Sequence, residues 1–263
     1  MSVPDVIIAG GGVVGLVTAH ALARAGIAVS LVDDGRPAAT AAAAGMLAPS
    51  FESALATLEG FARASLAAWR TLAPLLEEES GAPVDFQQTG VLSIAFDDEE
   101  RGDFPADLKG GEPLCAKEVL ALEPALAPDV AGGWFAQGDG QIDPRALMRA
   151  LPAAIARHGG RLVRGLRVTA IEREGGAVRG VRLSSGERLA AGAVVIATGA
   201  RLEGLAGLPP GSIFPVKGEA LALARASASP SRVIRTRSAY LCPKADGRLI
   251  VGASEIAGDA SIN

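Results

Sequence analysis

Residues 5–34, "DVIIAGGGVVGLVTAHALARAGIAVSLVDD", leave this chain few ways to fold. A short β-branched run ends in glycines, an alanine- and leucine-rich stretch follows from Val13 to Gly26, and a second apolar run over 28–34 ends in two aspartates. The outer runs read as buried strands and the middle as a helix stopped at Gly26. Strand, helix and strand within about thirty residues make a βαβ unit. Such a unit requires a parallel sheet with helices on its faces.

Within it, Gly10, Gly12 and Gly15 spell G-x-G-x-x-G. The chain has 33 glycines in 263 residues, so the spacing carries weight only through its context. Here it follows a strand, opens a helix, and is answered by Asp33 at the end of the next strand. Gly10 permits the tight turn, Gly12 lets a pyrophosphate reach the backbone, and Gly15 lets the helix pack closely on the strand. Val13 and Val14 begin the helix, whose free N–H groups and partial positive charge suit phosphates. Asp33 can accept hydrogen bonds from ribose hydroxyls and repels a 2′-phosphate; Asp34 is either a second ligand or a turn residue. NAD and FAD both satisfy this fingerprint.

Composition removes several function classes. A net charge of -4 with no basic stripe argues against nucleic acid. The early apolar run is broken by His20, Arg24 and Asp33, so no membrane span is expected. The N-terminus lacks a basic region and a cleavage site, so a cytoplasmic location is expected. Cys115 and Cys242, the two cysteines, read as reduced packing residues. The two histidines, His20 and His158, have no metal-like spacing, so no metal site is expected. No G-x-S-x-G elbow accompanies them, which argues against a serine triad.

Further along, the pattern predicts a helix over 52–80, a hairpin over 85–96 turning near Thr89-Gly90, and a loop-rich surface elaboration over 97–140. A helix over 144–160 stops at Gly-Gly. Residues 167–200 read as strands and hairpins ending in a buried strand at Thr198-Gly199. Residues 215–224 and 240–254 read as longer strands of an antiparallel sheet.

Taken in order, "GGGVVGLVTAHALARAGIAVSLVD", "TAAAAGMLAPSFE", "QIDPRALMRAL", "AVVIATGA", "PVKGEALAL" and "YLCPKADGRLIVGASE" resemble the flavin-dependent D-amino acid oxidase superfamily, especially the glycine oxidase branch of thiamine biosynthesis. The resemblance runs along nearly the whole chain. It implies an α/β fold: a Rossmann-like FAD-binding domain (1–84 and 141–212) with an interleaved antiparallel-sheet substrate domain (85–140 and 213–263). It also implies an incomplete C-terminus. The family's carboxylate-binding arginine, and a glycine-containing segment that returns to the flavin, lie beyond the point where this sequence stops.

The implied cofactor is FAD. The stretch matching Thr40, Ala41, Gly45, Met46 and Leu47 runs beside the flavin in this family. Alanines leave room for a flat ring, and Gly45 allows close backbone approach. Ala41 stands where relatives often carry serine or threonine, so it offers only backbone. Val168 matches a contact to the adenine side, and Thr198 and Gly199 match a stretch near the cofactor; sheet packing is the alternative for all three. Tyr240 matches a substrate-pocket tyrosine, with a core role as the alternative. Glu255 stands where glycine oxidase has an apolar pocket residue, which leaves the exact substrate open. Lys217 is either near the flavin or a solvated strand-start lysine.

The implied chemistry is oxidation of the amine of glycine or a small amino acid. Hydride passes to the flavin, oxygen is the acceptor, and no side chain acts as general acid or base. A D-amino acid dehydrogenase, a 2-hydroxy-acid oxidase, and a catalytically silent FAD-binding fragment are the alternatives. Implied partners are the amino-acid substrate and oxygen; a homo-oligomer is compatible with the sequence but not revealed by it.

Overall fold

In the computed structural model, residues 3–36, 39–51, 57–102, 104, 110–202, 204–205, 207–209, 211–224, 229–259 and 261 are described. The chain opens as its first thirty residues predict, with β1 (Val6–Ala9), α1 (Val13–Arg24) and β2 (Val29–Asp33). Then come α2 (Ala39–Ala42) and β3 (Met46–Leu47). The long helix α3 (Glu59–Ser80) begins later than expected; residues 52–56 of that expected helix lie outside the described set. β4 (Val91–Ala95), α4 (Asp98–Gly102), β5 (Glu112–Cys115), α5 (Ala116–Leu122), β6 (Gly132–Ala136) and β7 (Gly140–Gln141) lead to α6 (Pro144–Arg157). β8 (Arg161–Arg164), β9 (Val168–Glu174), β10 (Ala177–Leu183), β11 (Arg188–Ala190) and β12 (Ala193–Ile196) follow. The chain closes with β13 (Val216–Lys217), β14 (Ala220–Ala224), β15 (Val233–Arg235), β16 (Tyr240–Pro243), β17 (Arg248–Gly252) and β18 (Ile256–Ala257).

Two sheets dominate. A four-stranded sheet, ordered β12-β1-β2-β8, is parallel throughout. Both its faces are covered, so β1 is apolar at every position. Ile8 faces a core built by α1, α3 and α6, which includes Leu16, Leu76, Leu151 and Ile155. Its neighbour Ile7 faces the opposite way, onto Val168, Val181 and Leu183 of the β11-β10-β9 sheet. Each fully buried side chain of this kind contributes roughly 1.5–3 kcal/mol relative to exposure. The second large sheet has seven strands ordered β14-β17-β16-β15-β4-β6-β5, antiparallel except where β15 runs parallel to β4.

Helix ends follow local chemistry. Asp143 caps α6 by accepting the Arg145 N–H, and Pro144 sits at the first helical position, where its missing N–H costs nothing. Gly26 follows α1 at φ +80, a left-handed conformation suited to glycine.

Two expectations are corrected. Residues 85–96 do not fold back on themselves: Gln87 bridges to Gln141, and β4 pairs with β6 and β15 instead. The Gly90 turn, at φ +82 with its N–H donated to the Asp139 carbonyl, hands the chain from one sheet to the other. The segment 97–140 is not a surface elaboration either, since β5 and β6 complete the seven-stranded sheet and Val119, Val130 and Ala136 are buried. Most of its described charged residues are exposed and mask the inner apolar positions, although Glu123 and Asp139 are buried. Among the described residues no helix is long and apolar enough to cross a membrane.

Candidate functional site

The crossing between β1, α1 and the end of β12 is set by backbone contact. A Cβ on Gly15 would overlap the Gly10 carbonyl oxygen, and one on Gly10 would overlap the carbonyl of Ala197. Gly10 also sits at φ +106, which disfavours any other residue. Gly12 differs: a Cβ there would meet only the Thr40 hydroxyl, at 3.4 Å. It faces open space at the helix N-terminus, where a ligand can approach.

Asp33 closes the crossing from the other side. Its carboxylate accepts the Gly11 N–H at 2.7 Å and the Gly35 N–H at 2.8 Å. Thr40 accepts the Val13 N–H at 3.1 Å, so α2 covers part of the helix start. Val13 is half-buried and Val14 points outward, 67% exposed. The first N–H groups of a helix lack intrahelical partners, and an anion there gains both hydrogen bonds and dipole attraction. Asp34 turns away: it pairs with Arg36 at 2.6 Å. Burial raises its carboxyl, but the Arg36 N–H and guanidinium outweigh that and hold it below the ordinary range.

The end of α2 and the segment after it supply a flat wall. Ala41, Ala42 and Ala43 are exposed and small, and the Ala41 carbonyl accepts from Arg145 Nε at 3.1 Å. Gly45 lies at φ +82 so close to the Ile142 carbonyl and Pro144 that a Cβ would collide with both. Met46 and Leu47 pair with Gln141 and Gly140. A narrow cleft separates Ala41–Ala43 from Leu221, Arg248 and Ile250 of the seven-stranded sheet. Its floor includes Lys244, 1% exposed, whose ammonium donates to Gln141 Oε1 at 2.8 Å and the Ile142 carbonyl at 3.1 Å. Burial lowers its pKa below the usual lysine value.

The other residues singled out from the sequence fall into three groups. Val168 is buried in one cluster with Ile7, Ala9 and Val32 of the parallel sheet. Thr198 and Gly199 come just after β12, beyond Ala197; among the described residues the buried Thr198 hydroxyl has no hydrogen-bond partner, and it lies beside the Gly10 turn. Tyr240 is half-buried in one cluster with Met46, Phe51, Ala44 and Ala48. Glu255 is exposed between β17 and β18 and makes no hydrogen bond to the rest of the set among the described residues. Lys217 ends β13, three residues before β14; its side chain is 12% exposed, pairs with Glu219 at 3.0 Å and donates to the Ser261 hydroxyl at 3.1 Å.

Four groups had no signal in the sequence: Ser50, Asp139, Arg235 and Lys244. Asp139 is 1% exposed and accepts both the backbone N–H and the hydroxyl of Ser50, at 3.1 and 3.0 Å. Burial pushes its pKa up to about 6, against the lowering effect of Ser50, Arg63 and Arg235. The next residue, Phe51, carries the Arg235 guanidinium 5.2 Å above its ring. Arg235 lies directly across from Tyr240 in the β15–β16 register. Ser50, Asp139 and the Arg235–Lys244 stretch lie far apart in the chain, and although Ser50 and Lys244 fall inside segments that carry the family resemblance, no spacing marks them.

The tight glycine crossing, the orphaned Thr198 hydroxyl beside it and the alanine wall together fit a dinucleotide carrying a flat ring. Comparison with known proteins agrees. The family model described as FAD dependent oxidoreductase (DAO) matches residues 5–262. Glycine oxidase of Bacillus licheniformis is 34% identical over 263 residues, covering 97% of this chain and 70% of that protein. The bifunctional protein ThiO/ThiG of Synechocystis is 34% identical over 260 residues, 95% of this chain and 38% of that protein. The crystal structure of glycine oxidase from Geobacillus kaustophilus superposes with a TM-score of 0.89 at 32% identity, covering 98% of this chain and 73% of that one.

Proposed function

The chain belongs to the DAO family of FAD-dependent oxidoreductases, and from that premise we propose that it oxidises the amine of glycine or a similarly small amino acid, with oxygen as the final acceptor. The observation that carries the proposal is the sharing of Met46 between two environments. It lies in the segment that leaves the dinucleotide crossing, and it packs in one cluster with Tyr240 of the seven-stranded sheet. A substrate held against Tyr240 is therefore held beside the alanine-glycine-methionine wall.

The roles assigned to this chain are positional. The N-terminus of α1, with Gly12, Val13 and Val14, takes the pyrophosphate; Asp33 takes the ribose; Val168 lies under the adenosine; Thr198 and Gly199 line the return from β12. Thr40, Ala41, Gly45, Met46 and Leu47 flank the ring. When bound, FAD supplies the two-electron acceptor for the substrate α-hydrogen. Tyr240 orients the amino acid, and Phe51 and Met46 exclude water around it, a proximity effect with no side chain serving as general acid or base. We assign residues 1–84 and 141–212 to the nucleotide part and 85–140 and 213–263 to the substrate part, in keeping with the two large sheets.

The test is a purified chain loaded with FAD and mixed anaerobically with glycine, sarcosine, D-alanine and 2-hydroxyglutarate. Bleaching of the flavin by glycine, with hydrogen peroxide formed on admitting air, is expected. Bound flavin that bleaches only with the hydroxy acid would overturn the amine assignment.

A further inference from the structure

The two histidines of this chain are far apart in sequence, yet the fold brings both onto one carboxylate. His20 on α1 places Nε2 2.5 Å from Glu79 Oε2, and His158, at the C-cap of α6, places Nε2 2.8 Å from Glu79 Oε1. The imidazole centroids are 6.0 Å apart, with planes at 64°. The donor atoms of all three residues lie within 4.8 Å of one another. The side chains of His20 and Glu79 are 2% and 6% exposed, and that of His158 is 27% exposed. We propose that His20, Glu79 and His158 form a binding site for a divalent first-row metal ion of the zinc type, which clamps α1, α3 and α6 together beneath the parallel sheet.

The donor set supports this class. Two imidazole nitrogens and one carboxylate are a borderline nitrogen–oxygen set that zinc accepts, and a fourth position is left for water. His158 is the partly exposed member, so its edge provides that position and the entry path. Tetrahedral ligands about 2.0–2.1 Å from zinc sit roughly 3.3 Å from each other. The present N···O separations of 2.5 and 2.8 Å therefore need to open by less than about 1 Å. Two of the three donors can give. Glu79 is one residue from the end of α3, and His158 terminates α6, while His20 is fixed within α1.

Arg24 Nε lies 3.6 Å from Glu79 Oε1, but its side chain is 55% exposed and has solvent to swing into. Metal binding exchanges two Nε2 protons for the cation, moving each ring to its Nδ1–H tautomer and releasing protons only if a ring was charged. The site does not reach the flavin. His20 lies eight residues beyond Gly12, about 12 Å down the helix axis from the phosphate-binding end. Its role is to fix the helix that presents Gly12, joining segments 59 and 79 residues from Glu79.

The chain has only two histidines, so the test can be read residue by residue. Tag-free, FAD-loaded protein is stripped with a chelator and titrated with Zn²⁺ while the histidine ring protons are followed by NMR. Both sets of ring signals shifting together and saturating at one Zn²⁺ per chain is the expected result. No shift, or a shift of the His158 signals alone, overturns the site and leaves a hydrogen-bonded triad. Calorimetric titration of His158→Gln should show affinity reduced by at least about tenfold to a hundredfold. Cys115→Ser, which removes the exposed thiol, should leave affinity unchanged. Undiminished binding by His158→Gln, or loss of binding in Cys115→Ser, places the metal elsewhere.

Discussion

Around Gly10–Gly15 the chain meets itself backbone to backbone, whereas around Tyr240 it meets itself side chain to side chain. At its two crossing points the first region tolerates no added atom: a Cβ at Gly10 or Gly15 runs into main-chain carbonyls. The second is assembled from β15, β16, the segment after α2 and the turn at Ser50–Phe51, held by a carboxylate and a cation–ring contact. A backbone contact offers no alternative rotamer, so one methyl group decides whether the region forms. A side-chain cluster can adjust, so single substitutions there change binding and pH response before they change the fold.

The largest expected effect tests the rigid side of this contrast. Gly15→Ala and Gly10→Ala should each lose on the order of 3 kcal/mol or more, from overpacking and, at Gly10, from an unfavourable φ. Urea unfolding and the flavin retained on purification both report it. If either variant unfolds at the wild-type midpoint with full flavin, the crossing is softer than its contacts imply.

Next in size is the titration of Asp139, on the adjustable side. Its pKa stands near 6 in the folded protein against 3.8 for the unfolded reference. A raised acid pKa means the native state holds the proton more tightly, so stability is fully present below about pH 4 and declines as pH rises towards 6. The decline should amount to on the order of 2 kcal/mol and should vanish in Asp139→Asn. Unfolding midpoints at both ends of that window, compared between wild type and variant, check it. An equal decline in the two proteins would assign the pH response to another group.

The same contrast explains what could be read in the sequence. β1, α1 and β2 stand where the first thirty residues place them, because a tight strand-helix turn is local sterics and leaves glycines at fixed spacing. The hairpins of β9 to β11 are also local, with Gly175 and Gly176 both at positive φ in the first turn. β8 leaves no local signal because it pairs with β2, more than a hundred residues earlier. Residues 85–96 look like a hairpin for the same reason: the parallel partner of β4 lies near Val233. The burial of Lys244 and the meeting of His20 with His158 likewise depend on elements that come together only in the folded chain.

A third substitution separates stability from cofactor contact within the crossing itself. A Cβ on Gly12 would lie 3.4 Å from the Thr40 hydroxyl, an ordinary contact. Gly12→Ala should therefore unfold at the wild-type midpoint but bind FAD at least tenfold more weakly, about 1.4 kcal/mol, because the methyl stands where the pyrophosphate approaches. Flavin titration of apoprotein measures it. Unchanged FAD affinity would remove Gly12 from the phosphate contact.

The smallest effect is expected at Tyr240, the only tyrosine in the chain. Its ring packs with Met46 and Phe51 and lies against Gly252, where any Cβ would strike the phenol. Tyr240→Phe keeps that packing and deletes one hydroxyl, so the unfolding free energy should stay within about 0.5 kcal/mol of wild type. A core-filling tyrosine and a substrate-orienting one agree up to this point. They differ in binding: if the hydroxyl orients the amino acid, KM for glycine rises severalfold and glycolate, a carboxylate without the amine, perturbs the flavin spectrum more weakly. Burial, with Cys242 adding to it, holds the phenol above its ordinary pKa. The lone phenol should therefore ionise, in ultraviolet absorbance, at a pH above that of free tyrosine. It remains a neutral hydrogen-bonding group across the neutral range, so the substitution effect on KM should be flat there. A KM and glycolate response identical to wild type would return Tyr240 to the core and leave the adjustable wall without its one polar contact to substrate.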